Sequence, residues 1–201
     1  YTWEFLHKME AYWKRETNMD GLDYVLNKYK SDFPASAMRL FFTSNHDENS
    51  HSGSEYKRMG DAAKAFAVLC ATLDGIPLIY SGQELPVYDH LKFFEKDVIQ
   101  WGGKNKLHEF YKALLQLHSK HPALRAADGD IITHRIKTSG DENIFAFLRK
   151  NGFSEILVIL NLSEKNSIRV DITDDMVSGE YKNIFDGRDY DFDMEKYLDM
   201  A

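Results

Sequence analysis

Two short apolar runs, each ending abruptly in polar residues and separated by an amphipathic stripe, constrain this chain more than any other feature. The first runs from Met38 to Thr43 and passes straight into Ser44-Asn45-His46-Asp47-Glu48-Asn49. The second, about thirty residues later, runs from Ile76 to Tyr80 and passes into Ser81-Gly82-Gln83-Glu84. The Phe41-Phe42 pair breaks polar/apolar alternation, which marks a strand buried on both faces. Between the runs, Met59, Ala62, Ala63, Phe66, Leu69, Cys70 and Leu73 recur on one helical face. Strand, helix, strand in that order is a βαβ unit. Its carboxyl edge is where α/β folds place their chemistry.

The remaining pattern extends this in two different ways. Residues 3–15 and 22–30 read as helices, the second from Leu22, Val25, Leu26 and Tyr29. Ser52-Gly53-Ser54-Glu55 has the Ser-x-x-Glu form of a capping box, and Gly75 and Pro77 stop the long helix behind it. Residues 85–104 read as an irregular loop, and Asn105 to Lys120 as a helix with Leu107, Phe110, Tyr111, Leu114 and Leu117 inward. Pro122 ends it. Beyond that point the period becomes twofold. Ile131–Ile136, Ile144–Arg149, Glu155–Leu160, Ile168–Ile172 and Glu180–Ile184 read as short strands, parted by turn signals such as Ser139-Gly140-Asp141 and Asn151-Gly152. Regular spacing of this kind predicts a small antiparallel sheet or sandwich.

Charge supports a boundary between the two regimes. The 201 residues carry a net charge of −7, which argues against a phosphate-binding surface and so against nucleic acid. Residues 1–125 hold 16 acidic and 16 basic residues, whereas residues 126–201 hold 16 acidic and 9 basic. Part of that excess is the tail from Asp186 to Asp199, which reads as a solvated acidic edge. No apolar run approaches the roughly 18 residues of a membrane span. The only cysteine, Cys70, lies on an apolar helix face and reads as a small buried hydrophobe. The chain starts at Tyr1 with no signal-like segment and reads as processed or cut. Two parallel strands with outer helices leave open edges and half-covered faces, so the expectation is the back end of a larger protein.

Phe42-Thr43-Ser44-Asn45-His46-Asp47 resembles the signature of the α-amylase family, the family 13 glycoside hydrolases, in which a barrel strand ends in Asn-His-Asp. Gly75-Ile76-Pro77-Leu78-Ile79-Tyr80-Ser81-Gly82-Gln83-Glu84 is similar to that family's last barrel strand. Phe93-Phe94-Glu95-Lys96-Asp97 with Trp101 resembles the loop that follows, and His121-Pro122-Ala123-Leu124 the end of the final barrel helix. The resemblance runs in order through nearly the whole chain. It implies an α/β part followed by an all-β part: residues 1–125 as the last strands and helices of a (β/α)8 barrel, and residues 126–201 as a C-terminal antiparallel β-sandwich. On that template the seventh strand falls near 38–44 and the eighth near 76–80.

Retaining glycoside cleavage needs a carboxylate nucleophile and a carboxylic acid roughly 5–5.5 Å apart. The family's Arg-x-Asp signature follows no buried strand here; Gly187-Arg188-Asp189-Tyr190-Asp191 lies in the acidic tail. The resemblance implies that Asp47 is the third acidic residue of such a site, gripping sugar hydroxyls and stabilising the oxocarbenium-like transition state. His46 would donate a hydrogen bond to the same sugar. Read from the residues alone, Asp47 serves equally well as an aspartate capping a helix or loop after a strand. His46 and His51 match no common zinc spacing, and no cofactor is evident. Calcium is common in the family, with ligands mainly from segments outside these residues. Gln83 and Glu84 read as loop-bracing groups. Trp101, Tyr88 and Trp3 are candidates for stacking on sugar, with plain packing the simpler role. Arg58 reads as a surface cation.

The leading expectation is the C-terminal part of an α-amylase-like hydrolase or transglycosylase acting on α-glucans, inactive by itself because nucleophile and acid are not among these residues. The alternative is a non-catalytic α-amylase-like scaffold or carbohydrate-binding subunit. The exposed parallel strand edge is expected to pair two copies of the isolated chain.

Overall fold

Phe41 and Phe42 point to opposite faces of their strand and are both buried, 2% and 0% exposed. That double burial organises the first half of the computed structural model, which describes residues 1–102, 105–165 and 167–200. Helices α1 (Trp3–Trp13) and α2 (Met19–Asp32) lead into strand β1 (Leu40–Phe42). Phe5 of α1 meets the Phe41 ring edge-on at 5.5 Å, and Trp3 meets Phe42 at 5.3 Å. α2 is longer at both ends than the apolar run from Leu22 to Tyr29 indicates: the buried Met19 stands one turn before that run, and the last residues, Lys30, Ser31 and Asp32, are polar.

The segment after β1 departs most from expectation. Residues His46–Ser52 form a helix, α3, with only Asn49 buried. No apolar period announces it, and its cap is Asn45 rather than Asp47, the capping residue the sequence offered. Gly53, at φ 93°, ends α3, and the next helix, α4 (Glu55–Met59), is capped by Ser54, whose side chain accepts from the Lys57 amide at 3.3 Å. The capping group is therefore Ser54 rather than Ser52, and Glu55 is the first helical residue. The helix behind it is not continuous: Gly60, at φ 51°, breaks it before α5 (Ala62–Thr72). A Cβ on Gly60 would lie 3.0 Å from the Trp13 ring, so α1 packs directly on the break.

All seven residues of the apolar stripe, Met59 through Leu73, are buried. α5 turns at Gly75 into strand β2 (Ile76–Leu78), which pairs in parallel with β1 in the register Leu40↔Ile76, Phe41↔Pro77, Phe42↔Leu78. A Cβ on Gly75 would lie 2.4 Å from the Arg39 carbonyl oxygen, so only glycine lets the chain cross β1 so closely. The irregular segment expected over 85–104 is free of helix and strand through residue 102; its last two positions lie outside the described residues. Helix α6 (His108–Lys120) follows and buries Tyr111 and Leu114.

The second half is all β. Strands β3 (Ile132–Arg135), β4 (Ile144–Asn151) and β5 (Ser154–Asn161) form one antiparallel sheet. β6 (Ile168–Asp171) pairs with the last strand, and β7 (Glu180–Lys182) pairs with β8 (Asp189–Asp191); the last strand is β9 (Tyr197–Met200). β4 sits between two cores. Ile144, Ala146 and Leu148 pack with Val170, Ile172, Val177 and Phe192, while Phe145 and Phe147 pack against the helical half. β8 and β9 were hidden in the acidic tail. Asp189, Asp191 and Asp193 are exposed as a solvated edge should be, but Tyr190 and Phe192 alternate with them and face the core. Arg149, on β4, is 1% exposed and donates to the carbonyls of Thr72 (3.2 Å) and Arg125 (3.4 Å), joining the β half to the end of α5. No helix among the described residues is long and apolar enough to cross a membrane.

Candidate active site

Thr43, Ser44 and Asn45 follow β1 and are all buried. Asn45 is extended, and its side-chain oxygen accepts from the Glu48 amide at 2.8 Å, which makes it the N-cap of α3. That cap reverses the chain at the end of the strand. His46 and Asp47 become the first two helical residues and lie in the open, with side chains 66% and 45% exposed and His46 Nε2 3.6 Å from Asp47 Oδ1. A carboxylate in the first turn is favoured by the unpaired amides there, so Asp47 is stable where it stands without a partner cation. The two residues singled out from the sequence are thus side by side, just beyond the carboxyl end of a strand buried on both faces.

Beneath them lies a polar floor that joins the ends of β1 and β2. Gln83 is buried; its oxygen accepts from the Tyr80 amide at 2.6 Å, and its nitrogen donates to Thr43 Oγ1 at 2.9 Å and to the Tyr111 hydroxyl at 3.3 Å. Tyr56 donates to the Gln83 carbonyl at 2.7 Å. Glu84 accepts from the Gly82 amide at 3.1 Å. Gln83 and Glu84 therefore brace the loop, in agreement with the sequence reading. Burial pushes the Tyr56 and Tyr111 hydroxyls well above the ordinary tyrosine range, and it does the same to the Cys70 thiol.

Arg58 corrects the sequence reading. It is a buried group, its side chain 6% exposed, rather than a surface cation. Its Nε donates to the Gly53 carbonyl at 2.9 Å and its Nη2 to the Thr43 carbonyl at 2.7 Å. Nη1 pairs with Glu10 of α1 and lies 3.6 Å from Glu48. The signal was present in the sequence: Glu55, Arg58 and Ala62 follow the i, i+3, i+7 spacing of one face. Two charged residues on a buried stripe indicate an internal polar cluster.

Glu55, on the same short helix as Arg58, is also buried, 2% exposed. Burial raises its carboxyl to about 7. Its Oε1, the Ser44 hydroxyl and the Asn45 side-chain nitrogen have no hydrogen-bond partner among the described residues. A cavity of about 10 Å³, lined by Glu55, Asn49, Tyr80, Gly82 and Gln83 among others, adjoins Glu55.

The segment 85–102 lies over α3 and α4. Leu91 donates its amide to Asn49 at 2.9 Å, Ser54 donates to the Tyr88 carbonyl at 2.8 Å, and His51 packs against the Phe93 ring at 4.6 Å. Tyr88 and Trp101 remain more than half exposed, whereas Trp3 is committed to packing on Phe42. Among the described residues no three His, Cys, Asp or Glu side chains gather as metal ligands.

With this geometry in place, comparisons with known proteins point one way. The family model described as "Alpha amylase, catalytic domain" matches residues 2–127, and that described as "Alpha amylase, C-terminal all-beta domain" matches residues 137–198. The chain is 31% identical over 157 residues to "Alpha-amylase MalA" of Haloarcula japonica, covering 75% of this chain and 22% of that protein. Among solved structures it resembles a noncanonic maltogenic alpha-amylase AmyB from Thermotoga neapolitana, with TM-score 0.78 and 16% identity over 99% of this chain and 45% of that one. It also resembles AmyP solved in complex with maltose, with TM-score 0.68 and 15% identity over 100% of this chain and 47% of that one. The chain thus spans about a quarter or less of the curated relatives it matches and under half of the solved ones.

Proposed function

The chain belongs to the α-amylase family, and from that premise we propose that it forms the C-terminal part of a glycoside hydrolase that cleaves α-glucans, such as starch and maltooligosaccharides, by a retaining mechanism. Residues 1–125 contribute the last strands and helices of the catalytic barrel, and residues 126–201 form the C-terminal β domain. The observation that carries the proposal is the Asn45-capped turn, which presents Asp47 and His46 together beyond the carboxyl end of β1.

Asp47 is assigned to transition-state stabilisation. Its carboxylate accepts hydrogen bonds from sugar hydroxyls, and such charge-assisted bonds tighten as the ring flattens toward an oxocarbenium ion. His46 stands beside it and donates to the same ring. The nucleophile and the general acid come from elsewhere in the polypeptide. Of the nearby carboxylates, Glu48 and Glu10 are held by Arg58 and Glu55 is buried, which leaves Asp47 without an accessible partner for a retaining pair. The remaining barrel strands, with the catalytic pair, belong to the rest of the polypeptide and continue the sheet on either side of β1 and β2.

The test is turnover of maltooligosaccharides by the full-length protein, by its Asp47→Asn variant and by the present chain alone. The full-length protein is expected to hydrolyse them, the variant to lose about 10²–10³-fold in kcat, and the isolated chain to give no product. Undiminished turnover by Asp47→Asn would remove Asp47 from the mechanism.

A further inference from the structure

Segment 43–53, which carries His46 and Asp47, is closed at both ends by one side chain. Arg58 donates from Nη2 to the carbonyl of Thr43, where the chain leaves β1, and from Nε to the carbonyl of Gly53, where α3 ends. Its remaining nitrogen reaches Glu10 on α1 and approaches Glu48 inside the segment. A planar guanidinium presents its donors in a fixed fork, so these contacts define distances and not merely attraction. The turn is thereby referenced to α1, which is more than thirty residues away in sequence and packed on β1 through Phe5 and Phe41.

We propose that Arg58 is the positioning residue of the active-site turn, clamping both ends of segment 43–53 so that His46 and Asp47 are held at a fixed angle to the sugar. This rests on the role given to Asp47 above. Arg58 is buried beneath the segment and acts only through it. A lysine at this position keeps the charge, but its three donors sit on one nitrogen and cannot span both carbonyls and Glu10. Because small misplacements of a reacting group cost up to about 10²-fold in rate, loosening the clamp should lower kcat more than it changes KM.

The experiment uses the full-length protein and its Arg58→Lys variant, with Arg149→Lys as a control that loosens the other buried arginine. Amide exchange of segment 43–53 is followed by mass spectrometry alongside kcat and KM on maltooligosaccharides. Arg58→Lys is expected to speed exchange in the segment at least tenfold, leave β4 protected, and lower kcat at least tenfold with KM within about threefold. Arg149→Lys is expected to lower thermal stability while leaving kcat near the parent value. Should Arg58→Lys not fold, Glu10→Gln, which removes one partner and keeps both carbonyl bonds, is expected to move both readouts in the same direction by less. Unchanged exchange in the segment overturns the clamp, and faster exchange with unchanged kcat overturns its positioning role. Faster exchange in a protein whose Asp47→Asn variant remains fully active instead strikes the assignment of Asp47.

Discussion

Asp47 and Glu55 lie eight residues apart and show opposite ways of placing a carboxylate. Asp47 rests in the open on the first turn of α3 and needs no counter-ion. Glu55 is enclosed, and burial raises its carboxyl to about 7. A carboxyl whose folded pKa exceeds its ordinary value of 4.5 binds its proton more tightly in the folded state. Its contribution to stability is complete below pH 4.5 and is lost as pH rises through 7. Relative to Glu55→Gln, the parent should therefore lose about 3 kcal/mol between those limits, measured as the pH dependence of the unfolding midpoint. A flat difference between the two proteins would place the Glu55 carboxyl in contact with water. At this scale the sequence was legible where a residue ends a strand, as at Asn45-His46-Asp47. It was misread where a charge points inward, as at Arg58.

Among the elements, β1 and β2 were legible as short apolar runs that end in polar residues, and α1, α2, α5, α6 and β3 to β7 from apolar residues recurring with the period of helix or strand. α3 was not, since its polar surface lies under a loop and its only strong signal is the Asn45 cap. β8 and β9 were obscured by charge, although Tyr190 and Phe192 keep the twofold alternation. The division of the long helix at Gly60 depends on a neighbour, Trp13, that no local pattern reveals. Gly60→Ala forces a side chain into positive φ against that ring and should destabilise the fold by about 1–2 kcal/mol, read from urea unfolding at constant slope. Ser54→Ala removes the side-chain acceptor of the Lys57 amide at the start of α4 and should cost about 1 kcal/mol by the same measurement.

For the whole molecule, β4 buries one row of side chains in each of two cores, so the β half and the helical half share a wall. The β1–β2 pair, by contrast, is a two-stranded parallel sheet among the described residues: the far edge of β2 carries no further strand, and on β1 Thr2 donates its amide to the outward Leu40 carbonyl at 3.0 Å. An unpaired strand edge attracts another strand. The isolated chain should therefore self-associate as its concentration rises, and light scattering that reports a monomer throughout would exclude pairing through this edge. That the sheet needs more strands was readable from the sequence by counting; the shared wall was not, because it depends on which row of β4 faces which core.

Whether Asp47 meets the sugar is decided by a crystal structure of the full-length protein with a bound maltooligosaccharide. Asp47 carboxylate oxygens are expected within about 3 Å of hydroxyls of one ring, with His46 contacting the same ring. A sugar seated in the barrel mouth without touching Asp47 would contradict it.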